Sequence, residues 1–190
     1  ISAIKMDDME RLWVGTEAGL ILFENNEIKT FTEPFLSHSF ISTIAVDKEF
    51  NIWLGTKKSI ITDLYSGILI KYDGENWTIF DSTNSILTGY SINDIVIDNR
   101  GQKWIGTDSG LVLYDDESWS IINSKNSKLP GDMINTLEYG PGKNLWIGTN
   151  DGLVRYENNH TMSTFNVQNS CLLSNSITAI AFGENYDMYI

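Results

Sequence analysis

Short apolar runs rich in β-branched residues alternate with polar turns along the whole chain, and one run keeps returning. Trp13-Val14-Gly15-Thr16, Trp53-Leu54-Gly55-Thr56, Trp104-Ile105-Gly106-Thr107 and Trp146-Ile147-Gly148-Thr149 stand 40, 51 and 42 residues apart at their tryptophans. Three of them lead, after a two-residue gap, into Gly-Leu with an aromatic ring closing the run: Gly19 with Phe23, Gly110 with Tyr114, Gly152 with Tyr156. Tyr189-Ile190 falls 43 residues after Trp146, where a fifth copy would begin. A period of this size is the mark of a repeat architecture.

Each repeat divides into four short predicted strands. The first covers residues 1–4, 41–46, 92–97, 134–137 and 177–180, with apolar ends around small polar residues. Period-2 alternation and β-branched content make these strands, and their small central residues suit a crowded place. A turn with Asp or Gly follows (Asp47, Asp98, Gly140), because Asp bonds nearby amides and Gly accepts positive φ. The second strand carries Trp-x-Gly-Thr and the third Gly-Leu-x-x-aromatic. The fourth lies at 28–31, 77–80, 119–122 and 162–165, after a polar turn. Three connectors to the next repeat contain Asn-Ser-x-Leu, at 84–87, 126–129 and 169–172.

Nothing shows a long 3.6-residue period, so the class is all-β. Four strands in about 42 residues is the size of a propeller blade. The expected fold is a β-propeller of four-stranded antiparallel blades, with four full repeats (1–40, 41–91, 92–133, 134–176) and the start of a fifth (177–190). Residues 1–190 read as one propeller domain or a fragment of one. The tryptophans are the expected filling between blades, each removing about 150–250 Å² from water. The glycine beside each lets a neighbouring strand approach closely. The second repeat departs from the pattern: about nine residues from Lys57 to Tyr65 are inserted before its third strand, and Ile68 stands where Gly is expected.

The combination of Ile-x-x-Ile-x-x-Asp, Trp-Ile-Gly-Thr and Gly-Leu-x-x-Tyr resembles the two-component regulator propeller repeat, and the likeness spans essentially the whole chain. It lacks the Trp-Asp ending of WD40 blades. The resemblance implies a bacterial sensor or surface β-propeller, periplasmic or extracellular, often binding a small molecule or saccharide. It carries no catalytic residues to transfer.

Composition narrows the partners. The chain has 190 residues and a net charge of −12, against the clustered Lys and Arg that nucleic acid or anionic membranes require. No apolar run approaches a membrane span, and no signal peptide is present. The chain opens within its pattern and without Met, which reads as a mature or excised piece. The single Cys171 rules out an internal disulfide.

In a propeller, the connectors and the loops between second and third strands share one face. That face gathers His38, Tyr90 and Asn175 from connectors, and Asp108, Asn150 and Asp151 from the short loops. The insertion adds Lys57 and Tyr65. Mixed hydrogen-bonding groups beside tyrosine suit a small polar ligand or saccharide, and a concave mouth is the default place for one. Each of these residues can equally be a solvated loop residue. The Asp turns lack the dense spacing of a calcium loop and read as turn caps. His38 and His160 form no zinc motif, and no nucleotide loop, metal site or cofactor is indicated.

Three functions remain open. The first is non-catalytic ligand recognition in a sensor or surface protein. The second is an interaction module of a secreted protein, self-associating through blade edges or continuing repeats. The third is a polysaccharide lyase or hydrolase, although no spacing selects a catalytic carboxylate pair.

Overall fold

The computed structural model describes residues 1–37, 39–57, 67–88, 90–157 and 160–190. Among them the chain forms β1 (Ala3–Met6), β2 (Leu12–Thr16), β3 (Gly19–Glu24), β4 (Glu27–Phe31), a single turn α1 (Pro34–Ser37), β5 (Phe40–Val46), β6 (Ile52–Lys57), β7 (Leu69–Tyr72) and β8 (Trp77–Phe80). It continues with β9 (Ile92–Ile97), β10 (Lys103–Thr107), β11 (Gly110–Tyr114), β12 (Trp119–Ile122), β13 (Ile134–Gly140), β14 (Asn144–Thr149), β15 (Leu153–Tyr156), β16 (Met162–Phe165), β17 (Ala181–Phe182) and β18 (Met188–Tyr189). The described strands make four four-stranded sheets, each in chain order, and a final pair β17-β18. These are β-propeller blades, as the repeat predicts. Two details differ. The first strand begins later than predicted, at Ala3, and in the fifth repeat the paired first-strand residues are Ala181–Phe182 rather than 177–180. The chain divides into two compact units, Ile1–Ile95 and Val96–Ile190.

In the first unit, β1 to β4 and β5 to β8 pair antiparallel, with Trp13 opposite Leu22 and Trp53 opposite Lys71. Trp13 stacks on Phe31 at 6.0 Å and meets the edge of Tyr72, on the next blade, at 6.5 Å. Leu20, Ile41, Leu54 and Ile70 close the same fully buried core. The second unit repeats the scheme: Trp104 meets the edge of Tyr156, again on the next blade, at 5.3 Å. Trp13, Trp53 and Trp104 are 1–3% exposed, as predicted for rings between sheets. Trp146 is only half-buried.

The glycine after each tryptophan is a socket. A Cβ on Gly15 would lie 2.6 Å from the Cγ2 of Ile41, and one on Gly106 2.7 Å from that of Ile134. Gly55 faces Ile92 and Gly148 faces Ile177 in the same way. Each first-strand isoleucine thus seats its methyl in the glycine of the preceding blade. Interiors are packed too tightly to absorb such an overlap.

The threonine after the glycine ties the next hairpin. Thr107 Oγ1 donates to Gly110 O at 2.7 Å and accepts Ser109 N–H at 3.1 Å, and Thr149 does the same with Gly152 and Asp151. The hairpin glycines have φ near +140°, and a Cβ on Gly152 would strike Phe165 O. In the second blade Ile68 stands at this place. Thr56 still bonds it, accepting Ile68 N–H at 3.1 Å. The insertion itself, apart from Lys57, lies outside the described residues.

The Asn-Ser-x-Leu connectors fold by one local scheme. Asn126 Nδ2 donates to Ile121 O at 2.9 Å, Asn126 Oδ1 accepts Asn123 N–H at 2.8 Å, and Ser127 Oγ donates to Asn123 O at 2.6 Å. The connectors at 84–87 and 169–172 carry the same bonds. The leucine then drops into the core, fully so at Leu87 and Leu129.

Two outcomes follow. Trp104→Ala lowers unfolding free energy by about 3–5 kcal/mol, the cost of emptying a large aromatic site; a denaturation midpoint equal to the parent's would contradict its place between blades. Gly148→Ala costs about 1–3 kcal/mol, because Thr136 and Ile177 crowd the new methyl at 2.6 and 2.8 Å; thermal melting reads it.

Candidate binding surface

The polar side chains fall into those the architecture consumes and those it leaves available. The Asp turns are consumed. Asp7 accepts the backbone N–H groups of Met9 and Arg11 at 3.0 Å each, Arg11 Nε at 2.6 Å and the Trp13 indole N–H at 3.0 Å. Asp47 accepts Glu49 N–H, Asn51 N–H, Asn51 Nδ2 and the Trp53 indole, the last at 2.8 Å. Asp98 holds Arg100 N–H, Gln102 N–H and the Trp104 indole, the last at 3.3 Å. Each carboxylate is buried, and its acceptor positions are taken by protein donors. These are turn caps, as the spacing predicts, but they also anchor the inter-blade tryptophan six residues on. Sequence reasoning missed that second task. The fourth repeat has Gly140 at this place, and among the described residues the buried Trp146 indole N–H has no partner.

The Asp7 carboxyl reflects this environment. Burial alone would raise its pKa, but the Trp13 indole, the Arg11 backbone N–H and the Arg11 guanidinium together outweigh burial and hold it below its ordinary 3.8. Asp73 and Asp115, capping the turns before β8 and β12, are also held low, chiefly by the backbone N–H groups of Asn76 and Ser118. Lys103 is buried, and its ammonium meets both carboxylate oxygens of Asp116.

The first strands carry a second consumed row. Ser2 Oγ donates to Ile41 O and Ser42 Oγ to Ile92 O, each at 2.5 Å. In the second unit Asn135 takes this place, and its Nδ2 donates to Ile177 O at 2.9 Å. The same Asn135 Nδ2 reaches Asn150 Oδ1 at 2.9 Å, and Ser176 Oγ donates there at 3.4 Å.

Of the residues singled out in the sequence, the second unit brings Asn150 together with Asn135 and Ser176. Asn150 is exposed, and its amide N–H₂ has no partner among the described residues. Asp151 beside it is exposed too; its carboxylate lies over Gly131, where the missing Cβ leaves room. Among the described residues Asp108 accepts only from Ser109 Oγ, at 3.3 Å. Asn175 is spent on its connector, its Oδ1 accepting Val167 N–H at 2.9 Å as Asp132 accepts Ser124 N–H at 2.7 Å. In the first unit Lys57 is exposed at the end of β6, its ammonium 5.8 Å from the centre of the Phe40 ring, and Tyr90 is half-buried. His38 and Tyr65 lie outside the described residues. Asn135 and Ser176 were not singled out; the small polar residue inside each first strand was the available signal.

A cleft of about 260 Å³ opens on the Asp-turn side of the second unit, lined by Arg100, Gln102, Tyr139, Lys143, Tyr156 and His160. Tyr139 donates to Asn99 Oδ1 at 3.1 Å, and the Tyr156 hydroxyl meets His160 Nδ1 at 2.7 Å. Burial pushes the Tyr156 phenol up, and the Arg100 cation pulls it the other way. Among the described residues no His, Cys, Asp or Glu cluster is placed to hold a metal, and no helix is long and apolar enough to cross a membrane.

Strand order, register and inter-blade rings define the class: this is a β-propeller-type repeat protein. The search of protein-family models returned no match, and the search of curated proteins returned none either. Solved structures do match. The extracellular domain assigned to a hybrid two-component system of B. thetaiotaomicron is similar over 99% of this chain and 25% of its own, at 22% identity and a TM-score of 0.80. PorZ, a surface component of the type-IX secretion system of Porphyromonas gingivalis, matches over 96% of this chain and 29% of its own, at 14% identity and 0.72. Virginiamycin B lyase of Staphylococcus aureus matches over 98% and 61%, at 12% identity and 0.73. The chain thus spans from a quarter to about three fifths of the structures it resembles. At these identities the likeness carries the fold, and the fold hosts sensors, secretion components and a lyase alike.

Because the folded Asp7 releases its proton at lower pH than the unfolded chain, its contribution is complete above 3.8 and lost as pH falls through the folded value. Asp7→Asn is therefore less stable than the parent at pH 6, and the difference shrinks below pH 4. Urea midpoints at pH 6, 4 and 3 check it; a constant difference would remove the charge from the account.

Proposed function

We propose that this chain is a non-catalytic recognition propeller, the extracytoplasmic sensing region of a bacterial two-component protein or a related surface protein, which binds a small polar molecule or saccharide. The observation that supports it best is the division among polar side chains. The Asp turns and Asn-Ser connectors are saturated internally. Asn150 and Asp151 keep a donor and an acceptor side by side on a short hairpin loop whose base Thr149 ties. A rigid loop with paired donor and acceptor suits a sugar hydroxyl, which both gives and takes a hydrogen bond. The fold likeness to an extracellular sensor domain agrees with this role and with a periplasmic or extracellular location.

Isothermal titration against a panel of mono- and oligosaccharides tests the reading. Asn150→Ala and Asp151→Ala are each expected to weaken binding about tenfold, the worth of one good hydrogen bond, with the melting temperature unchanged. Unchanged affinity removes the substituted residue from the site. Depletion of a polysaccharide by the purified chain would replace recognition with catalysis.

A further inference from the structure

The cleft of about 260 Å³ on the Asp-turn side of the second unit is rich in donors. Arg100 comes from the turn between β9 and β10, Tyr139 from β13, Lys143 from the turn into β14 and His160 from the turn before β16. The acid on its wall is Asp98, whose oxygens already hold Arg100 N–H, Gln102 N–H and the Trp104 indole. Burial, joined at Tyr139 by Asp98, pushes the Tyr139 and Tyr156 phenols up, and the Arg100 cation pulls both the other way. The guanidinium therefore stands close to both rings. Among the described residues the acids pair with Arg11, Arg100, Lys103 and Arg155, and Lys143, exposed at its turn, has no ion pair.

The same positions in the first unit hold a different chemistry. Asp7 accepts the N–H groups of Met9 and Arg11 as Asp98 accepts those of Arg100 and Gln102, so Arg100 answers to Met9. Val46 pairs with Ile52 as Tyr139 pairs with Leu145, so Tyr139 answers to Val46. Phe50 stands as far before Ile52 as Lys143 before Leu145, and the two share a left-handed backbone, with φ of +63° and +59°. Where the first unit carries methionine, valine and phenylalanine, the second carries guanidinium, phenol and ammonium. The turn bonds run through backbone groups in both, so the fold is served by either set. The polar set is surplus to the scaffold.

The histidine adds a donor of fixed sense. Tyr72 gives its hydroxyl proton to Gly74 O at 2.6 Å, but the Tyr156 hydroxyl meets His160 Nδ1 at 2.7 Å. The Tyr156 ring is buried, and Nδ1 is the acceptor its proton finds among the described residues. In the neutral imidazole Nε2 then carries the N–H, and in the charged one both nitrogens do, so Nε2 donates in either state. Gln102 lines the same wall, and its buried Oε1 has no partner among the described residues, which leaves an acceptor for a hydroxyl. Pockets for drug-sized ligands run to about 300–1,000 Å³, so this cleft takes a smaller molecule. We propose that it is a second binding site, for one small organic carboxylate of hexuronate size. Lys143, Arg100 and His160 Nε2 hold the carboxylate through charge-assisted bonds, and the sugar ring lies against Tyr139. The site uses neither Asn150 nor Asp151 and stands apart from the recognition reading above.

Glucuronate, glucose and sodium sulfate are the probes, titrated calorimetrically into the intact chain. Glucuronate is expected to bind at least tenfold tighter than glucose, which has the same ring without the carboxylate. Lys143→Gln, at an exposed turn position, is expected to weaken glucuronate at least tenfold with the melting temperature unchanged. Lys125→Gln, which removes the same charge from an exposed connector, leaves the affinity as it was. The sequence has two histidines, so His160→Gln assigns the imidazole signals in an NMR spectrum, and the His160 signal is expected to move as glucuronate saturates. Equal affinity for glucose and glucuronate overturns the proposal, as does a His160 signal that stays still or an equal loss in both lysine variants. Displacement of glucuronate by sulfate at equal concentration overturns the carboxylate assignment.

Discussion

A methyl group seated where a side chain is missing sets the spacing of this structure. Ile41 enters the notch at Gly15, Ile92 that at Gly55, Ile134 that at Gly106 and Ile177 that at Gly148. Close packing makes the contact unforgiving in both directions: a larger residue in the notch overlaps, and a smaller one in the strand leaves a void. The approach also brings Ser2, Ser42 and Asn135 within reach of the next isoleucine's carbonyl. One apolar contact and one hydrogen bond therefore recur together at the Gly15, Gly55 and Gly148 junctions. The repeat is a unit of packing as well as a unit of sequence.

The tryptophan is the second element of the junction, and it brings a polar obligation. An indole buries a large area but must place one N–H. In three repeats the acceptor is the Asp of the preceding turn, which also holds two backbone amides. The fourth repeat gives up that acceptor. A Cβ on Gly140 would overlap Phe182 and come 3.0 Å from the Trp146 ring, so no longer side chain fits there as the chain stands. Among the described residues the indole left unpaired is also the one left half-buried.

The turns and connectors satisfy their polar groups internally. This separates Asn175, whose carbonyl is needed to hold its connector, from Asn150 and Asp151, which keep free functionality on a tied hairpin. The same composition produced both kinds of residue, and only hydrogen-bond partners tell them apart. Placing function on loops held by a rigid scaffold is the general habit of repeat folds.

The four-stranded blade, its strand order and the spacing of the rings were legible in the chain, because each depends on local alternation and on a period that repeats the same residues. The Gly-Thr pair and the Asn-Ser-x-Leu box were visible for the same reason: their bonds close within about five residues. The late start of β1 and the indole-to-Asp bond were not visible, since each depends on what another strand or another turn brings near. Which of the expected binding residues are spent and which are free is likewise a matter of partners distant in sequence, as Asn135 with Asn150 and Ser176 shows.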